Sequence, residues 1–351
     1  MPRASLYSTS RSGQRHLDRR LIRPKIERVG AVAFRLLDVC CLRCPSRQNA
    51  PLPKRFGPPG LENMEIDTRF PTRLNTVADA PELFRSALVE SLPSAEPVRL
   101  LVHAPAFTSG DQKSPATVLA VTNHGWLVAS EIEEGGVTVE KSDFGNTLFL
   151  ELTSIFLFGQ LRICFAAVST SYAATMRFET VEDESYREAI DLILAGIDPA
   201  LAGVATNDQG EASIFRAWPP KIRNEAQRFS PKGQRFLAAI QWPAIFGNYT
   251  PQLVPHGALL ITERALVAIS EEKDSSTEPA LEVLSGRENF GGIITFVPRV
   301  RLVDFHVGHQ EGFDVLALEL HTPHGGKKLE IKFPSADERA VSKAMEQMLV
   351  R

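Results

Sequence analysis

The chain repeats itself. Val118 to Thr122 runs on through Asn-His-Gly-Trp-Leu-Val-Ala to Ser130-Glu131, and 140 residues later Ala258 to Thr262 runs on through Glu-Arg-Ala-Leu-Val-Ala-Ile to Ser270-Glu271. Thr, Ser and Glu recur in register. Pro105-Ala106 returns as Pro243-Ala244 at an offset of 138. Phe178 with the stripe Tyr186, Ala189, Ile190, Ile193, Leu194 returns at an offset of 155 as Phe333 with Val341, Ala344, Met345, Met348, Leu349. A recurrence on this scale constrains the fold more than any short motif, because both copies must be satisfied by one kind of structure.

The stripes follow the i, i+3, i+4, i+7, i+8 spacing of one helical face. Ser335 with Glu338 reads as a capping box, and Thr180 with Asp183 as a weaker one. Strands are expected near 98–104, 117–123, 126–131, 137–140, 147–153, 161–167 and 173–178, and again near 235–241, 258–263, 265–270, 281–284, 293–306, 313–321 and 328–333. The last alternates cleanly, with Leu329, Ile331 and Phe333 inward and Lys328, Glu330 and Lys332 outward. A helix near 80–91 is expected before the first set, capped by Asp79 with Pro81 just inside. The step from 140 to 155 places about 15 inserted residues in the polar stretch from Glu271 to Gly292. The expected class is α+β: two tandem units, each a seven-stranded antiparallel open barrel or sandwich closed by a C-terminal helix, at 64–200 and 232–351 with a linker at 201–231.

This succession resembles the pleckstrin-homology (PH) superfamily. The hairpins Leu119-Ala-Val-Thr-Asn-His-Gly-Trp-Leu-Val and Leu259-Leu-Ile-Thr-Glu-Arg-Ala-Leu-Val are similar to those of bacterial PH-like and GRAM-like domains, as is the closing order of Phe, capping residue and helix. The resemblance covers roughly 95–197 and 232–351, and implies that each helix covers the open end of its barrel. It also implies a lipid-headgroup loop between the first two strands. Here those loops are Thr108-Ser-Gly-Asp-Gln-Lys-Ser-Pro115 and Gly247-Asn-Tyr-Thr-Pro-Gln-Leu-Val-Pro255. The first has one Lys beside an Asp and the second has no basic residue, so they depart from the phosphoinositide-binding pattern.

Charge divides the chain unevenly. The net charge is −3, from 39 basic and 42 acidic residues. Residues 1–63 hold 13 basic and 4 acidic groups, +9, which leaves 26 and 38, or −12, for the rest. An acidic body is repelled by nucleic acid and anionic lipid except at a local basic patch. The Arg-, Ser- and Pro-rich segment 1–63 reads as a disordered basic tail, or as sequence upstream of a true start at Met64. Its apolar run Gly30 to Cys41 is broken by Arg35 and Asp38, unlike a secretory signal. Cys40-Cys41-Leu-Arg-Cys44 lacks the second ligand pair of a structural zinc site. Cys164, on an apolar strand, reads as a small buried side chain, and a body with one cysteine suits a reducing, cytoplasmic setting. The most apolar window, Leu148 to Ala167, carries Glu151, Gln160 and Arg162 and reads as two strands joined at Gly159-Gln160, not as a membrane span.

No nucleophile elbow, P-loop or dinucleotide fingerprint is present, and the chain is read as non-enzymatic, without cofactor, metal or evident small-molecule substrate. His306-x-x-His309 and His321-x-x-His324, with Glu311 or Asp314, have the residue types of a metal site. The intervening strand would hold His309 and His321 roughly 26 Å apart, too far to share an ion. His124 and Arg264 occupy equivalent hairpin bends. The dense basic cluster Arg216, Lys221, Arg223, Arg228, Lys232 and Arg235 is the candidate contact surface. The expected function is to bind a protein or peptide partner, a groove between a helix and an open sheet edge being a natural peptide site. The alternative is a peripheral module whose basic cluster faces anionic membrane.

Overall fold

Several strands are apolar at nearly every position, so one central sheet is buried on both faces. The structure is a computed structural model, and it describes residues 70–92, 96–109, 112–133, 135–155, 158–168, 170–180, 184–201, 214–231, 233–247, 252–271 and 292–350. All of these belong to one compact unit, Met64–Arg351. The basic tail, the Cys40–Cys44 cluster, the strand expected at 281–284 and Lys232 lie outside the described residues.

The architecture is α+β, dominated by antiparallel strands, with four α-helices among the described residues. The chain runs β1 (Thr72–Arg73), α1 (Glu82–Ser91), β2 (Leu100–Ala104), β3 (Phe107–Ser109), β4 (Gln112–Ser114), β5 (Thr117–Val121), β6 (Gly125–Glu131) and β7 (Val137–Asp143). Next come β8 (Thr147–Ile155), β9 (Phe158–Ala167), β10 (Thr170–Glu179) and α2 (Glu184–Ile197). The remainder is α3 (Pro220–Phe229), β11 (Phe236–Trp242), β12 (Ile245–Phe246), β13 (Gln252–Val254), β14 (Gly257–Thr262), β15 (Ala265–Ser270), β16 (Gly292–Pro298), β17 (Leu302–Gln310), β18 (Phe313–Thr322), β19 (Gly325–Phe333) and α4 (Glu338–Leu349).

Three main sheets result. The first has the order β1-β2-β5-β6-β7, the second β10-β9-β8-β16-β15-β14-β11, and the third β17-β18-β19. The second joins β8–β10 to β11 and β14–β16. β8 pairs antiparallel with β16, Leu152 opposite Ile294 and Leu150 opposite Phe296. Two separate seven-stranded barrels were expected; instead, strands of the two halves share a sheet, and no sheet closes on itself among the described residues. Each of these strands would otherwise present a row of unpaired backbone groups, and pairing them removes both exposed edges.

The shared sheet organises the packing. On one face Leu150, Ile163, Met176, Leu260 and Phe296 join the inner face of the first sheet, Tyr186 and Ile190 of α2, and Ile222 and Ala226 of α3. On the other, Phe149, Cys164, Leu259 and Val297 meet the β17–β19 sheet and Val341, Met345 and Met348 of α4. A smaller cluster seats Phe84 and Leu88 of α1 on the outer face of the first sheet.

Several local expectations need correction. The 201–231 stretch contains α3, entered through Pro219 and Pro220, which suit a first helical turn that needs no amide donors. The expected strand 293–306 breaks at Pro298: the 3-10 turn Arg299–Arg301 carries the chain from the second sheet to the third. Gly159 and Gln160 are inside β9, so the β8–β9 connection falls at 156–157, outside the described residues. Gly159 is there because a Cβ would lie 2.4 Å from the Phe178 ring. Asp79 does not cap α1; its carboxylate accepts from the Thr76 amide and hydroxyl at 2.9 and 3.0 Å, closing the preceding turn. Nor does Ser335 cap α4. Its hydroxyl donates to Asp314 Oδ1 at 2.8 Å, and Asp337 stands at the N-cap without a side-chain capping bond.

Candidate functional site

Of the six basic residues, Lys232 lies outside the described residues, and the other five have different surroundings. Arg216 is exposed before α3, and Arg223 is half-buried on it. Lys221 is ion-paired with Glu271 at 3.1 Å, and the other Glu271 oxygen lies 3.1 Å from His256 Nδ1. Gln241 bonds the far nitrogen of that ring, so a polar chain runs from α3 to β11. Glu225, one turn after Lys221, sits beside this chain with a buried Oε2 that has no hydrogen-bond partner among the described residues. Burial pushes its pKa up, against the pull of Lys221. Arg235 is within 4.0 Å of Glu263. Arg228 stacks on Phe229, its guanidinium carbon 5.3 Å from the ring centroid. Acidic neighbours just beyond the strand ends thus oppose the charge of two cluster members.

The histidines separate along β17 and β18. His309 Nδ1 is 3.1 Å from Asp314 Oδ1, while His321 is at the opposite end of β18, in register with Gly326. Among the described residues no group of three or more His, Cys, Asp or Glu could hold a metal ion. His124 is 80% exposed at its bend and pairs with Glu96 at 2.8 Å; Arg264, at the equivalent bend, pairs with Asp198 at 3.5 Å. Thr122 and Thr262 hold both bends, each hydroxyl accepting from the amides two and three residues on. Cys164 is buried and its thiol pKa is pushed up by burial, which leaves little nucleophilic thiolate. No described helix is long and apolar enough to cross a membrane.

What the sequence reading left unlocated is a free strand edge. β17 pairs with β18 on one side and with no strand on the other among the described residues. Beside it runs α4, whose Met345 and Met348 are buried below the edge. Phe305 and Val307 of β17 turn toward that core, half-buried. Asp304, His306 and His309 are exposed. The Phe305 amide is held by the Asp304 carboxylate at 2.8 Å and so points away from β18. Strand alternation then places the amides and carbonyls of Val307 and His309 on the same outer side. A register shift between Leu302 and Asp304 kinks the start of the edge. The equivalent first-half strand, β8, has its outer edge covered by β16. The chain's strand pattern announces β17; that its outer edge receives no strand among the described residues depends on which strands pair, which periodicity does not encode. No protein-family model matches the chain, and no curated protein matches it.

Proposed function

We propose that this chain is a non-enzymatic binding protein built of two tandem PH-like units, and that it captures a protein partner by adding an extended segment of that partner to the outer edge of β17. The tandem reading is supported by the order of elements. Helix, strand, short strand pair, three strands, 3-10 turn, three strands and helix occur twice, with the short pairs β3-β4 and β12-β13 in matching places. Phe84 and Leu88, buried on α1, are matched 138 residues on by Ile222 and Ala226, buried on α3. On this proposal the second unit would begin at α3 rather than at 232.

The observation that carries the binding proposal is the contrast between β8 and β17. The two are 155 residues apart, each opens the second sheet of its unit, and among the described residues β8 already receives a strand while β17 receives none. Strand addition supplies main-chain hydrogen bonds for affinity and alternate side-chain pockets for specificity. The test is selection of a displayed peptide library on the full chain. Selected peptides should bind the parent and lose binding when alternate amides are N-methylated. They should also lose it on Val307→Pro, since proline is tolerated on an edge strand whose amide faces outward but cannot donate to an added strand. Circular dichroism checks that the variant is folded. Peptides that tolerate both changes would contradict the proposal.

A further inference from the structure

A cavity of about 390 Å³ lies between α2, α3 and the β15–β16 face of the shared sheet. Its walls are of two kinds. Ile190, Leu194, Phe229, Val267 and Phe296 make an apolar floor. Among the described residues, Arg99, Arg187 and Arg228 bring three guanidinium groups to the lining and Asp191 one carboxylate. Arg187 and Arg228 stand 5.5 and 5.3 Å from the centroid of the same ring, Phe229, so two like charges are gathered at one place. Arg187 is positioned further by a 3.1 Å hydrogen bond from its Nη2 to the Arg228 carbonyl.

Ser230 supplies a second, independent observation. It lines the cavity and is only 8% exposed, and its hydroxyl has no hydrogen-bond partner among the described residues. An unmade hydrogen bond at a buried hydroxyl is costly, so the hydroxyl offers a ready place for a bound polar group. Gln234, equally buried, lies beside it with its Oε1 accepting from Thr262.

We propose that this cavity binds a small amphiphilic anion, a carboxylate or phosphate monoester carrying an apolar group. The oxyanion would meet the arginines and the Ser230 hydroxyl, for which guanidinium forks are suited. The apolar group would fill the space above Val267 and Phe296. The volume suits a small ligand, near the lower end of the usual 300–1,000 Å³ range. This inference is independent of strand addition at β17, which lies on the other face of the shared sheet's core.

Calorimetric titration of the full chain with decanoate, decyl phosphate, decanol and inorganic phosphate tests it. Decanoate or decyl phosphate should bind at one site, with decanol at least about tenfold weaker because it lacks the charge-assisted hydrogen bonds, and inorganic phosphate at least about tenfold weaker because it lacks the apolar chain. Arg187→Gln should weaken decanoate binding by a similar factor. Arg99→Gln, at an exposed position that leaves the fold intact, should weaken it as well, and Val267→Trp, which fills the cavity, should remove it. Co-sedimentation with phosphatidylcholine vesicles containing phosphatidic acid separates the two sources of such a head. Retention abolished by Arg187→Gln assigns a lipid headgroup, and no retention assigns a soluble acid. Equal affinity for decanoate and decanol, binding of neither acid, or binding unchanged in both arginine variants would overturn the proposal.

Discussion

Gly196 faces the ring of Phe144 so closely that a Cβ built on it would lie 2.3 Å from two ring carbons. Replacing a helical glycine with alanine ordinarily stabilises by about 0.5–1 kcal/mol. Here Phe144 is buried and has little room to withdraw. Gly196→Ala should therefore destabilise by about 1–3 kcal/mol, the usual cost of overpacking, as read by chemical denaturation. Glu225 offers a second residue-scale test with a defined sign. Burial raises its folded pKa, so between the unfolded and folded pKa values the folded state binds more proton than the unfolded state. Its contribution to stability is complete below the ordinary glutamate pKa and is lost as pH rises through the elevated folded value. Glu225→Gln should thus melt higher than the parent near neutral pH, with the gap narrowing as pH falls toward the ordinary carboxylate range. A constant gap across pH 4–8 would place the effect elsewhere than in ionisation.

At the scale of elements, α4 shows how much was legible in the sequence and how much was not. Its stripe was readable because 3.6-residue periodicity is local, and Val341, Ala344, Met345 and Met348 are all buried. Its N-terminus was misread because Ser335 bonds Asp314, a residue from β18 that no local pattern brings near. Its C-terminus is held by Arg299, which donates to the carbonyls of Met348 and Leu349. Favourable pairing of a cation with a helix C-terminus is well founded, but the contact spans 49 residues and is invisible in sequence. α3 was missed for a different reason: its charged surface outweighed a buried strip of only Ile222 and Ala226. The three arginines of the cavity likewise come from three separate segments. Met345→Ala should cost about 2–5 kcal/mol. Lys343→Ala, exposed on the same helix, should change stability by less than about 0.5 kcal/mol. Thermal and chemical unfolding of the two variants side by side decides whether α4 is docked as described.

At the scale of the whole molecule, the β8–β16 pairing makes the two halves one folding unit. Trp126 lies in the core on one face of the shared sheet and Trp242 in the core on the other. Variants retaining only Trp126 or only Trp242 should report the same denaturation midpoint, because coincident transitions mark cooperative unfolding. Two separated midpoints would mean that the halves are independent. The pairing also supplies an internal standard for the central proposal, since among the described residues β8 has its outer edge filled and β17 does not. Amide hydrogen exchange of the full chain, with and without a saturating selected peptide, measures this directly. Without peptide, the amides of Val307 and His309 should exchange much faster than those of β8 that face β16. With peptide, they should slow toward the β8 rates. Saturating peptide that leaves Val307 and His309 exchanging as before would contradict strand addition at β17.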